Sequence, residues 1–361
     1  MRIRKEIADF KPYSWEKSSG EIAEEFNVPI ERIVRFDLNT SPEIPEQLIQ
    51  KASESLPRLN IHEYPDTSYK ALRSLLAEYC SVEIGQITVT NGADEALDIV
   101  SKVFLDQESN VVVSEPTYAM FRIVSQIMGS KVTGVLRNRD LTDNFDQIMD
   151  AIDERTRVVF LCSPNSPNGT CVSRQDLLNL LSSVDCAVVV DEAYCEFSGE
   201  TCIDLTQDYE NLIVLRTFSK AFSLAGARVG YIVASKKTID LLNKVRPPNS
   251  LTVFSLELAQ LALRNRVLME LNVSSIVRAR ELLKKRLEGL GLRVYPSRAN
   301  FLLVDLGARS PPSIQRMLMQ RGIVVRDVSS MPMLHGCVRI TVRKETENEG
   351  LAQALSEVLS Q

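Results

Sequence analysis

Residues 211–235 read NLIVLRTFSKAFSLAGARVGYIVAS, two apolar runs around a polar turn. Each run is rich in Val, Ile and Leu without clean alternation, the pattern of a strand covered on both faces. Outward from it the rhythm repeats. CAVVVDEAY (186–194), RVVFLCSPNSPNGT (157–170), SNVVVSEP (109–116) and QITVT (86–90) are strands ending in polar or turn-forming residues. Between them lie helical patterns: KALRSLLAEYC (70–80), the segment after Asn91, YAMFRIVSQIMG (118–129), a helix at 144–153 and DLLNLLSSV. Strands alternating with helices predict an α/β fold with a mostly parallel sheet sandwiched by helices.

The segment VRPPNSL (245–251) breaks the rhythm. Beyond it the spacing predicts one long helical stretch capped at Gly289 and Gly291. Two short strands (VYPSRANFLLVDL and CVRITV) then flank a helix (PSIQRMLMQRG). This reads as a smaller α+β domain. The first 40 residues hold an extended segment and a helix (SGEIAEEF) but no core of their own, so they are expected to pack with it. The expected division is a large domain of 41–244 and a small one of 1–40 plus 245–361.

Composition narrows the partners. The 361 residues carry 44% apolar and 25% charged side chains and a net charge of −5, which does not favour nucleic acid or an anionic membrane. No apolar run approaches a bilayer span, and the basic N-terminus has no apolar stretch after it, so the expected location is the cytoplasm. Seven cysteines without a CxxC pair and only two histidines argue against a metal site.

In an open parallel sheet, ligands bind outside the carboxyl ends of the strands. The polar residues predicted there are Asn91 through Asp94, Pro116-Thr117-Tyr118, Ser163 through Gly169, Asp191 through Tyr194, and Thr217, Ser219 and Lys220, with Arg228 in the next turn. Alone, each has an ordinary explanation as a surface charge, cap or turn residue. Together they meet the demands of one planar, phosphorylated, nitrogen-containing aldehyde. A phosphate calls for amides at a helix start, hydroxyls and an arginine. A ring nitrogen calls for a buried carboxylate, a flat ring for a stacked aromatic, and an aldehyde for a lysine to form a Schiff base. No G-x-G-x-x-G or P-loop spacing competes with this reading.

The motifs NGADEAL, EPTYAMF, SPNSPNG, DEAY, TFSKAFSLAGARVGY and CVRITV stand in an order that resembles the fold-type I pyridoxal-phosphate aminotransferases, most closely the histidinol-phosphate aminotransferase group. The resemblance runs from residues 11–13 to 338–342. It implies a seven-stranded type of sheet, pyridoxal 5'-phosphate as cofactor, an amino donor and a 2-oxo acid as substrates, and a homodimer. It further implies Lys220 as the Schiff-base lysine and proton carrier, Asp191 on the ring nitrogen, Tyr118 stacked on the ring and Tyr194 on the ring hydroxyl. Gly92, Ala93, Asp94, Thr217, Ser219 and Arg228 correspond to the phosphate cup, and Tyr64 to a tyrosine that reaches the neighbouring subunit's cofactor. Arg339 and Asn39 correspond to substrate-binding residues, while Tyr13 and Arg326 match a pair that holds a substrate phosphate. Arg326 could instead pair with Asp327 or another acid.

The sequence departs from the group at three places. Ser166 stands where the family loop carries an asparagine for the ring hydroxyl, which leaves Asn165, Asn168 or a water to fill that role. The segment LNTSPEIP keeps Asn39 but loses the family's Asn-Glu pair, and Arg343 follows VRITV in place of glycine. An aromatic or broad-range aminotransferase, or an enzyme like the threonine-phosphate decarboxylases, is the alternative. A transcription regulator would need a DNA-binding module for which the N-terminal segment is too short.

Overall fold

The structure, a computed structural model, describes residues 1–8, 10, 12, 13 and 16–360. Its strands are β1 (Val34–Phe36), β2 (Ile87–Thr90), β3 (Asn110–Glu115), β4 (Lys131–Leu136), β5 (Thr156–Cys162), β6 (Ala187–Asp191), β7 (Leu212–Thr217), β8 (Gly230–Ala234), β9 (Arg293–Val294), β10 (Phe301–Asp305), β11 (Ile323–Asp327) and β12 (Cys337–Thr341). Seven of them form one sheet in the order β2-β8-β7-β6-β5-β3-β4, and only β8 runs against its neighbours. The expected mostly parallel sheet is therefore present.

Its central strands are apolar on both faces because both faces are covered. Val188, Val190, Leu212 and Val214 belong to one buried cluster, and the residues between them, Val189, Ile213 and Leu215, belong to a second on the opposite face. Helices Gly92–Phe104 and Met120–Met128 pack together on the second face. Full burial of each such Val, Ile or Leu stabilises the fold by roughly 1.5–3 kcal/mol. That is the physical basis for strands that read as unbroken apolar runs.

A second sheet has the order β1-β11-β12-β10-β9. Strand β1 from the N-terminal segment pairs in parallel with β11, and the remaining pairings are antiparallel. The sequence patterns had indicated only β10 and β12 here. The predicted long helix is two: Val253–Arg264 and Arg266–Gly289, broken at Asn265, whose φ of −119° and ψ of 36° are not helical. The first packs on helices Lys70–Cys80 and Glu46–Ser55, and the second on β9, β10 and the C-terminal helix Glu345–Leu359. Gly291, with φ +77°, is the left-handed residue after the second helix; Gly289 is still helical.

Among the described residues no helix is long and apolar enough to cross a membrane. No cluster of three or more His, Cys, Asp and Glu among them could hold a metal ion.

Candidate active site

Sheet register brings the strand ends together. Thr90, Gly230 and Thr217 are consecutive cross-strand partners, so the start of helix Gly92–Phe104, the turn holding Arg228 and the end of β7 meet at one point. Cys162, Asp191 and Leu215 form a second row on β5, β6 and β7. Above these rows lies a cavity of about 110 Å³, lined by Ala93, Asp94, Tyr118, Cys162, Ser166, Asp191, Ala193, Tyr194, Thr217, Ser219, Lys220 and Arg228. A wider, open cleft of about 780 Å³ shares Tyr118 with this cavity but contains neither Asp191 nor Lys220.

One wall is a chain of hydrogen bonds. Thr217 Oγ1 donates to Ser219 Oγ at 2.9 Å, and Arg228 Nη1 donates to the same oxygen at 3.3 Å. Arg228 Nη2 bonds Asp94 Oδ2 at 3.0 Å, and Asp94 Oδ1 accepts from the Tyr118 hydroxyl at 2.8 Å. Asn91 places no side-chain cap on the first turn of the helix, which leaves its leading amides to an incoming anion.

Two glycines make this geometry possible. A Cβ on Gly92, which has φ +76°, would lie 2.6 Å from Arg228 Nη2, and one on Gly230 would lie 2.5 Å from the Gly92 carbonyl carbon. Arg228 itself sits in the left-handed region at φ +53°, a conformation that costs an L-residue about 1–2 kcal/mol. From there its guanidinium donates to Ser219 and Asp94.

Asp191 ends β6 and is buried, with Oδ1 accepting the Ala193 amide at 3.0 Å. Burial pushes its carboxyl up to about 7, opposed by that amide. Lys220 Nζ lies 3.3 Å from the Leu38 carbonyl and 5.5 Å from the centre of the Tyr194 ring. Burial and then the nearby Arg339 lower its ammonium to about 8. The cavity thus holds an amine that is largely neutral in mild base beside a carboxylate that ionises near neutrality.

The far wall comes from the second sheet. The Tyr194 hydroxyl accepts from Asn39 Nδ2 at 3.1 Å, and burial raises that phenol to about 12. Asn39, at φ +53°, is locked by Thr341 and Asn300. Arg339 Nη1 donates to Ser166 Oγ at 3.1 Å, its Nη2 reaches the Asp37 carbonyl, and its buried Nε has no partner. Arg326 is the cross-strand partner of Arg339.

Not every predicted residue lies at the cavity. Asn165 is fully buried but points away from it: its Oδ1 accepts from Thr117 at 2.6 Å, and its Nδ2 donates to the Pro116 carbonyl and to Asn168. Asn168 in turn donates to the Leu141 carbonyl at 2.7 Å. Both amides brace the loop and are not free to replace Ser166, which lines the cavity itself. Tyr64 is 84% exposed and does not line its own chain's cavity. Arg326 pairs with Glu16 and not with Asp327. Sequence reasoning missed Cys162 and Glu16, and gave Ala193 a place at the strand end but no role. Cys162 could have been found as the last residue of its strand, whereas no local pattern marks Glu16.

Residues 34–355 match the model of the family "aminotransferase class I and II", and the chain belongs to that family. It is 37% identical to the histidinol-phosphate aminotransferase of Caldanaerobacter subterraneus subsp. tengcongensis over 99% of both chains. The crystal structure of histidinol-phosphate aminotransferase from Sinorhizobium meliloti, in complex with pyridoxal-5'-phosphate, superposes with a TM-score of 0.90 at 24% identity, covering 99% of this chain and 98% of that one. L-threonine-O-3-phosphate decarboxylase from Porphyromonas gingivalis superposes with a TM-score of 0.80 at 25% identity, covering 91% of this chain and all of that one.

Proposed function

We propose that the chain is a pyridoxal-phosphate-dependent aminotransferase that takes L-histidinol phosphate as amino donor and 2-oxoglutarate as acceptor, working as a homodimer in the cytoplasm. The observation that carries the substrate is the arginine pair. Arg339 lies beside Ser166 at the cavity, and Arg326 lies opposite it on the adjacent strand near Tyr13, which gives two neighbouring anion grips. A donor that carries a phosphate suits such a pair better than one without.

The donor set fits the cofactor. The uncapped helix start, Thr217, Ser219 and Arg228 would hold its phosphate; Asp191 would meet its ring nitrogen; Tyr118 would cover the ring and Tyr194 would reach its hydroxyl. When bound, the cofactor supplies an aldehyde that carries the amino group and a ring that withdraws electrons from the substrate's α-carbon. Lys220 is the base that moves a proton at that carbon, and its lowered basicity suits it to the work near neutral pH. Asp191 would favour a positive ring nitrogen, because its carboxylate is buried and cannot be screened by water. Ser166 takes the asparagine's position in the loop while bonded to Arg339, which couples the ring side of the site to the substrate grip.

Tyr64, exposed at the tip of its segment, would complete the partner subunit's site. The division into residues 41–244 and 1–40 plus 245–361 is offered on the same footing, with the cavity between the two sheets.

A panel of amino donors tests the substrate. L-Histidinol phosphate should exceed L-phenylalanine in kcat/KM by roughly 10–100-fold, the size of one charge-assisted contact to an anion. Release of CO2 from L-threonine phosphate without keto-acid consumption would instead favour the decarboxylase reading.

Cofactor capture should depend on pH in one direction. Asp191 is ionised above about 7 and Lys220 is neutral above about 8, so both groups favour capture as pH rises. The rate at which apoprotein develops its visible band should increase from pH 6 to 9 and then level off. A flat profile would refute the assignment of these two groups.

A further inference from the structure

The place for a substrate's distal anion is already held by an anion of the chain. Glu16 lies three residues beyond Tyr13. Its Oε1 stands 2.6 Å from Arg326 Nη1 and accepts the Tyr13 hydroxyl at 3.2 Å. One carboxylate oxygen therefore engages both groups assigned above to the substrate phosphate.

The neighbouring arginines direct their hydrogen bonds elsewhere. Arg35 commits its guanidinium to Asp37 through bonds of 2.8 and 2.6 Å. Arg339 is turned toward Ser166 and the Asp37 carbonyl. Arg326 is the one of these three arginines that pairs directly with Glu16, while Arg35 senses the same carboxylate electrostatically. The contact is partly accessible, with Arg326 27% and Glu16 22% exposed, so an incoming group can reach it. A phosphate monoester brings about −1.5 to −2 charge at neutral pH. It must displace the carboxylate or suffer like-charge repulsion beside it. The same donor without its phosphate faces no such competition.

We propose that Glu16 is a specificity-determining residue, an internal anion that competes with the distal phosphate of the amino donor for Tyr13 and Arg326. It lowers affinity for phosphorylated donors and leaves unphosphorylated ones unaffected. The inference rests on the reading of Tyr13 and Arg326 as the phosphate grip. The opposing role, a brace that delivers Tyr13 to the site, predicts the opposite sign.

The test uses cofactor-loaded wild-type, Glu16→Gln and Glu16→Ala enzymes. If the carboxylate occupies the pair about nine-tenths of the time, apparent affinity for phosphate is lowered about tenfold, since only the open fraction binds. Both variants should then show KM for L-histidinol phosphate reduced by about tenfold, with KM for L-histidinol unchanged. Inorganic phosphate titrated calorimetrically into each protein should bind more tightly by a similar factor. A KM that is unchanged or raised, with phosphate binding also unchanged or weakened, overturns the proposal. If no form turns over histidinol phosphate yet phosphate binds more tightly to both variants, the internal anion stands and the substrate assignment falls.

Discussion

Replacing Lys220 with alanine is expected to lower kcat by at least about 10⁴-fold, the upper end of what one positioned acid–base group contributes. The same change should end covalent retention of the cofactor. Borohydride treatment of the wild-type enzyme should fix the cofactor's mass to the peptide containing Lys220, and no labelled peptide should be recovered from the variant. Two features make the loss specific to this amine. Among the described residues Lys220 is the one lysine lining the cavity, and its neighbours Arg228 and Arg339 are guanidinium groups that stay protonated and cannot take its place as a base. Lys220→Arg separates chemistry from charge: it keeps a cation near Asp191 but supplies no neutral amine. It should be as inactive as the alanine variant while retaining much of the cofactor affinity. Activity of Lys220→Ala within tenfold of wild type would remove Lys220 from the reaction.

Why these residues could be read from the sequence, and others not, is a matter of range. Asp191, Lys220 and the residues after β2 and β7 were legible because a parallel sheet sends every strand's carboxyl end to the same edge. Identifying buried strands is then enough to collect their terminal residues. Those strands announce themselves through local apolar runs with burial on both faces. The second sheet lacks that signal. Strand β1 has three residues and is only partly buried, and its partner β11 lies near the other end of the chain. Glu16 and Arg326 have the same difficulty. Neither residue is unusual where it stands, and the ion pair exists because β1 and β11 bring the termini together. Asn165 shows the converse error. A polar residue in the right loop need not face the site; Thr117, Pro116 and Asn168 consume its hydrogen-bonding capacity. The break at Asn265 was hidden because both flanking segments have sound helical spacing, and one non-helical residue does not disturb that pattern enough to show.

Asp191→Asn is the more discriminating substitution because it keeps the shape of the site. An asparagine oxygen can still accept the Ala193 amide at the 3.0 Å position, and the residue remains within the apolar end of β6. What disappears is the negative charge that would oppose a protonated ring nitrogen. In a buried site that charge is neither screened by salt nor replaced by water, so its removal should lower the single-turnover rate of the amino-donor half-reaction by roughly 10²–10³-fold, the scale of losing one preorganised electrostatic partner. Cofactor should still bind, because Thr217, Ser219 and Arg228, the proposed phosphate cup, are untouched. The direction of the shift at Asp191 strengthens the argument. Burial is the main cause that lifts this carboxyl to about 7, only partly offset by the Ala193 amide and Lys220, so the protein keeps an acid there at a cost that a bound cation would relieve. The asparagine variant is spared that cost. Its apoprotein should therefore melt no lower than wild-type apoprotein, and the added cofactor should raise its melting temperature less. A variant that retained the full single-turnover rate would show that the ring nitrogen needs no carboxylate. One that lost rate, cofactor binding and apoprotein stability together would show Asp191 to be a structural residue of the strand end.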